Sequence, residues 1–104
     1  MVAFVTCGSP EEAKKIAAAL VGDRLAACVN VLSNMESCYR WEGEVKFDSE
    51  CLLIIKTTTE RIDKVRERVL AEHSYDLPEF IAFQIDGGSP EYLEWIRDSI
   101  GPIN

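Results

Sequence analysis

Residues 29–57 carry two long runs of strand-type sequence joined by a turn of two residues, and this hairpin limits the fold more than any other feature. Met35, Ser37, Tyr39 and Trp41 alternate with Glu36, Cys38 and Arg40, the period of two that a strand requires. Glu42-Gly43 reverses the chain, with Gly43 suited to the positive φ of a tight hairpin turn, and Val45 to Thr57 returns as the partner strand. At ~3.3 Å per residue the run from Val29 to Trp41 spans about 43 Å, whereas a compact chain of this length is only about 33 Å across. The hairpin must therefore bend, for which Ser33-Asn34 is the natural bulge, or project. Its far end holds Tyr39, Trp41 and Phe47, which either fold back onto their own sheet or are covered by a second copy of the chain. We expect the second arrangement, a homo-oligomer.

The flanking segments are well punctuated. Val2 to Thr6 is a β-rich run, and Ser9-Pro10-Glu11-Glu12 is a helix start, with Ser9 as N-cap, Pro10 at the first helical position and Glu12 spaced to close a capping box. Ala13, Ile16, Ala17 and Leu20 form one apolar face, and Gly22 is expected to end the helix as its C′ residue. A second helix is expected to start at Thr58-Thr59-Glu60, to turn Ile62, Val65, Val69 and Leu70 inward, and to stop near His73. Pro78 makes 74–79 a loop, 80–85 a fourth strand, and Ser89-Pro90-Glu91 starts a short last helix. The order predicts an α+β fold, a ferredoxin-like βαββαβ antiparallel sheet with a long β2-β3 hairpin and an extra C-terminal helix, in one domain over 1–104.

Eleven Lys and Arg against 18 Asp and Glu give a net charge of −7, which repels phosphate backbones and anionic lipid surfaces. No nucleic-acid or membrane partner is expected. Apolar runs such as Cys51 to Ile55 are far shorter than the ~20 residues that cross a bilayer, and no basic segment precedes the first strand, so the expected location is cytoplasmic. Cys7, Cys28, Cys38 and Cys51 contain no Cys-x-x-Cys pair and are expected as free thiols.

Few residues carry chemistry. His73, the single histidine, stands at a helix end, where the macrodipole alone favours it; beside Glu72, Tyr75 and Glu79 it is also a candidate ligand for a divalent ion. Cys7 precedes a helix N-terminus, where a thiolate is stabilised, whereas Cys28 and Cys51 read as core thiols. Lys56 interrupts an apolar strand and needs Glu36, Glu79 or an anionic ligand beside it. No nucleophile motif or phosphate loop is present, so no enzyme is expected.

Arg24-Leu25-Ala26-Ala27-Cys28-Val29-Asn30, Tyr39-Arg40-Trp41-Glu42-Gly43, Lys56-Thr57-Thr58, His73-Ser74-Tyr75 with Pro78-Glu79, and Tyr92-Leu93-Glu94-Trp95 together resemble the CutA family of divalent-cation tolerance proteins. The resemblance implies a cytoplasmic homotrimer built through sheet edges, with copper or another divalent cation as ligand and no obligatory cofactor. It also implies an inter-subunit cleft lined by Cys28, Tyr39, Trp41, Lys56, Tyr75 and Glu79, and metal ligation by His73 with Cys7 and Glu72. A trimeric regulator that binds a small anionic metabolite in that cleft is the alternative. The chain departs from the family pattern at Ser74, where proline is usual, and at Cys7, which reads as lying past the first strand in a longer turn.

Overall fold

The computed structural model describes residues 1–101, so the last three residues of the expected domain lie outside the described residues. The elements are β1 (Val2–Cys7), α1 (Pro10–Gly22), β2 (Cys28–Trp41), β3 (Glu44–Lys56), α2 (Ile62–Glu72), β4 (Ile81–Phe83) and α3 (Pro90–Ser99). The four strands form an antiparallel sheet in the order β2-β3-β1-β4, the ferredoxin-like arrangement expected.

Alternation builds the core. Ala3, Val5 and Cys7 of β1 and Cys51, Leu53 and Ile55 of β3 point to one face and are buried there against Ala13, Ile16 and Leu20 of α1 and Val65 and Val69 of α2. A smaller apolar cluster joins Ala27 to Ile96 and Ile100 and holds α3.

The hairpin projects. Ser33 and Asn34 together face Cys51 between the Leu32–Leu52 and Met35–Glu50 pairs, a bulge with Asn34 at φ 63°, and the molecule reaches 44 Å in its longest dimension. Glu42 and Gly43 both take positive φ in the two-residue turn between Trp41 and Glu44. Tyr39, Trp41, Val45 and Phe47 are all exposed on this arm.

Four details depart from expectation. Gly22 lies within α1, and the left-handed residue is Arg24 (φ 59°), whose guanidinium reaches the carbonyls of Asp98 and Ser99 at the end of α3. α2 begins at Ile62, with Arg61 as its N-cap, instead of at Thr58-Thr59-Glu60, and the Thr59 hydroxyl donates to Gln84 (3.4 Å). β4 is only three residues long, pairing Ile81 to Phe83 with Phe4 to Val2, while Phe80 packs on the core. Cys7 is the last residue of β1, not a residue of the turn after it.

Leu53 is fully buried between Val5 and Val31 in the sheet. Leu53→Ala should cost about 2–5 kcal/mol in urea unfolding, as a cavity at a site that cannot collapse does. A loss below about 1 kcal/mol would show that the core lies elsewhere.

Candidate metal centre and adjoining cleft

The ends of β1 and α2 meet at His73, whose side chain has no exposed surface. Its Nε2–H donates to the Thr6 carbonyl at 2.7 Å, and its Nδ1 accepts from the Tyr75 N–H at 3.1 Å. A carbonyl accepts and an amide N–H donates, so the two bonds assign the neutral ring with its proton on Nε2. His73 is the C-cap of α2, its N–H donating to the Val69 carbonyl at 3.0 Å, so it stands at the helix end as expected, with its ring turned inward to these partners.

Glu12 stands across from it. The Ser9 hydroxyl caps α1 by accepting from the Glu12 N–H at 3.2 Å, but the Glu12 carboxylate turns inward and places Oε1 3.4 Å from His73 Nδ1. That oxygen is buried and has no hydrogen-bond partner among the described residues. With the Cys7 thiol, one donor atom from each of Cys7, Glu12 and His73 lies within 4.8 Å of the others. Sulfur, imidazole nitrogen and carboxylate oxygen are the donors of zinc and copper sites, held at ~2.0–2.3 Å from the ion. The orphaned oxygen, the Nδ1 lone pair on the same side and the Thr6 carbonyl fixing the opposite nitrogen all fit a divalent ion.

The thiol itself departs from expectation. Burial pushes Cys7 up to about 12, and the charges of Glu12, Cys51 and Glu50 add to the shift, so the metal-free residue is a thiol and not the thiolate expected at a helix start. Glu72 lies apart from the cluster, 3.6 Å from Lys15. Glu12 was the residue missed. Its place three residues after Ser9, which points a side chain back toward the strand end, was the available signal, and it was read as capping alone.

A cleft of about 630 Å³ adjoins the triad, lined by Thr6 and Tyr75 on one side and by Tyr39, Trp41, Asp48 and Glu79 among others on the hairpin arm and loop. Tyr39 donates to Asp48, and Tyr75 to Glu50 at 3.0 Å; these bonds and the nearby charges raise both phenols, burial being the leading cause at Tyr75. Tyr39, Trp41, Tyr75 and Glu79 thus share one cleft, but Cys28 and Lys56 do not border it. These two pair with each other across β2 and β3 at the base of the hairpin, furthest from its turn, and Lys56 Nζ lies 3.4 Å from the Tyr92 hydroxyl and over its ring instead of against Glu36 or Glu79.

The CutA1 divalent ion tolerance protein family matches residues 1–99. The chain belongs to that family. The divalent-cation tolerance protein CutA of Thermus thermophilus is 50% identical over 100 residues, covering 96% of this chain and 97% of that one. A solved CutA1 structure from the same organism superposes with a TM-score of 0.93 over 96% of this chain and 97% of that one. The chloroplastic CutA of Arabidopsis thaliana is also 50% identical, over 95% of this chain but only 54% of the relative, so the chain spans about half of that protein. A CutA structure from Archaeoglobus fulgidus, described as periplasmic, is 38% identical with a TM-score of 0.92, covering 96% and 97% of the two chains. Among the described residues, no helix of this CutA1-family chain is long and apolar enough to cross a membrane.

Among the cysteines, Cys38 is exposed and Cys7 buried. In native protein at pH 8, iodoacetamide should modify Cys38 within minutes and leave Cys7 untouched, since a thiol at about 12 is only ~10⁻⁴ ionised there. Equal rates, read by peptide mass spectrometry, would show that Cys7 is neither buried nor protonated.

Proposed function

We propose that this chain binds a divalent cation at Cys7, Glu12 and His73, that it acts in metal-ion tolerance as a homotrimer, and that copper is among the ions it takes. The observation that carries the reading is the buried, partnerless Glu12 Oε1 beside His73 Nδ1 and the Cys7 thiol. An ion there would neutralise the orphan oxygen, occupy the Nδ1 lone pair and draw the thiol into its anionic form, with the thiol proton leaving to solvent. The Thr6 carbonyl would hold the imidazole in the ligating tautomer. The tolerance function in the names of the relatives supports the same reading. The ion is the bound ligand, not a cofactor for a reaction, and we assign no catalysis.

Two features support the trimer. β2 is an edge strand of 14 residues whose outer side has no strand partner among the described residues, and the arm carries exposed aromatic rings. Cys28 and Lys56 stand at the base of the hairpin and Tyr39 and Trp41 near its tip, separated by up to ~43 Å of strand, so these residues can line one cleft only if the tip of one subunit reaches the base of another. The four free thiols suit a reducing compartment, and we place the protein in the cytoplasm. An anionic metabolite in the cleft is less well supported, because Asp48, Glu50, Asp76 and Glu79 line it.

Light scattering should give three times the 11.7 kDa chain mass. Calorimetric titration of metal-free protein with Zn(II) and Cu(II) tests the site. The free thiol titrates at about 12 and the bound form is thiolate, so each ion displaces one proton and affinity should rise about tenfold per pH unit between pH 6.5 and 8. His73→Ala and Glu12→Gln should weaken binding by at least ~10-fold, and Cys7→Ser should also abolish its pH slope. Wild-type affinity in all three variants would sink the assignment.

A further inference from the structure

The triad is closed to solvent. Cys7 and the His73 side chain have no exposed surface, and the Glu12 side chain is only 17% exposed, so a hydrated ion cannot reach all three donors unless something moves. Tyr75 is what stands in the way. Its ring lies 4.7 Å from the imidazole, its N–H occupies the His73 Nδ1 lone pair that an ion needs, and its hydroxyl lies 3.0 Å from where a Cβ on Gly8 would be. It therefore lies across the strand end at Cys7-Gly8 and against His73 at once. Tyr75 belongs to the segment between α2 and β4, outside every helix and strand, so it can swing away without breaking a ladder.

What holds Tyr75 down is as informative as what it covers. Its hydroxyl donates to Glu50, and Glu50 lines the cleft with Asp48, Asp76 and Glu79, while no Lys or Arg lines it. Carboxylates on a concave wall raise the local concentration of cations. A divalent ion arriving there competes for the Glu50 oxygen that the Tyr75 hydroxyl uses, and so removes the restraint on the ring.

We propose that the acidic cleft is the route by which a divalent cation reaches the buried triad, and that Tyr75 is a gate released when the ion engages Glu50. The inference rests on the metal-binding reading above. Its content is kinetic: Tyr75 controls how fast the ion enters and leaves, while Cys7, Glu12 and His73 control how tightly it is held.

Stopped-flow mixing of the assembled, metal-free protein with Co(II), followed by the thiolate-to-cobalt charge-transfer absorbance, separates the two. In Tyr75→Ala, association and dissociation should both accelerate, by about 10-fold or more if gate opening limits the wild type, so that Kd moves less than either rate. Tyr75→Phe, which keeps the ring and loses only the Glu50 bond, should show a smaller acceleration of the same sign and guards against misfolding of the alanine variant. Asp76→Asn with Glu79→Gln should slow association several-fold and flatten its dependence on ionic strength. Wild-type rates in both Tyr75 variants would overturn the gate and direct the ion to the exposed side of Glu12. Absence of the charge-transfer band in wild type would instead overturn the metal-binding reading, and the gate with it.

Discussion

β1 is paired on both sides, to β3 along all six of its residues and to β4 along only three, and the site depends on this inequality. The long ladder with β3 buries Val5 and sets Cys7 directly opposite Cys51 at the end of the core. The ladder with β4 stops at Phe4, and beyond it the carbonyl of Thr6 accepts the hydrogen bond from His73 Nε2–H. A histidine 67 residues away in sequence is thereby fixed at the end of β1, with its second nitrogen 3.4 Å from the Glu12 carboxylate. One strand end thus supplies the thiol, the carbonyl that orients the imidazole, and, through Gly8 and Ser9, the start of the helix that brings the carboxylate.

The parts that were legible beforehand are those governed by local chemistry. The Ser9-Pro10 helix start, the Glu42-Gly43 turn and the Ser33-Asn34 bulge each follow from what a few adjacent residues can do with their backbone. The length of the hairpin was equally plain, since alternation continues past any distance a small core can cover. What was not legible depends on partners far along the chain. Thr58-Thr59-Glu60 was expected to start α2, but the helix begins at Ile62 and the Thr59 hydroxyl is drawn to Gln84. Gly22 was expected in the left-handed position that Arg24 takes two residues later, where its side chain meets the end of α3. Glu12 was assigned wholly to capping, although only its backbone serves that purpose.

Cys7 shows why burial and function are not alternatives here. Desolvation and neighbouring charge keep it protonated, hence unreactive, while no ion is present. The same desolvation makes an arriving dication the most effective way to offset the charge of Glu12 and of the thiolate together. The protein therefore holds a quiet thiol beside a buried carboxylate oxygen without a hydrogen-bond partner among the described residues, and binding of an ion as proposed would relieve both. Tyr75, Asp76 and Glu79 on the segment between α2 and β4 face Asp48 and Glu50 of the arm across the cleft.

The central assertion is where the ion sits, and anomalous diffraction at the copper and zinc absorption edges from crystals loaded with each metal tests it without reference to activity. A peak bonded to the Cys7 sulfur, a Glu12 oxygen and the His73 Nδ1, with His73 still donating to the Thr6 carbonyl, is the predicted result. Ordered metal bound only to surface carboxylates, with His73 Nδ1 still accepting from the Tyr75 amide in a fully loaded crystal, would contradict it.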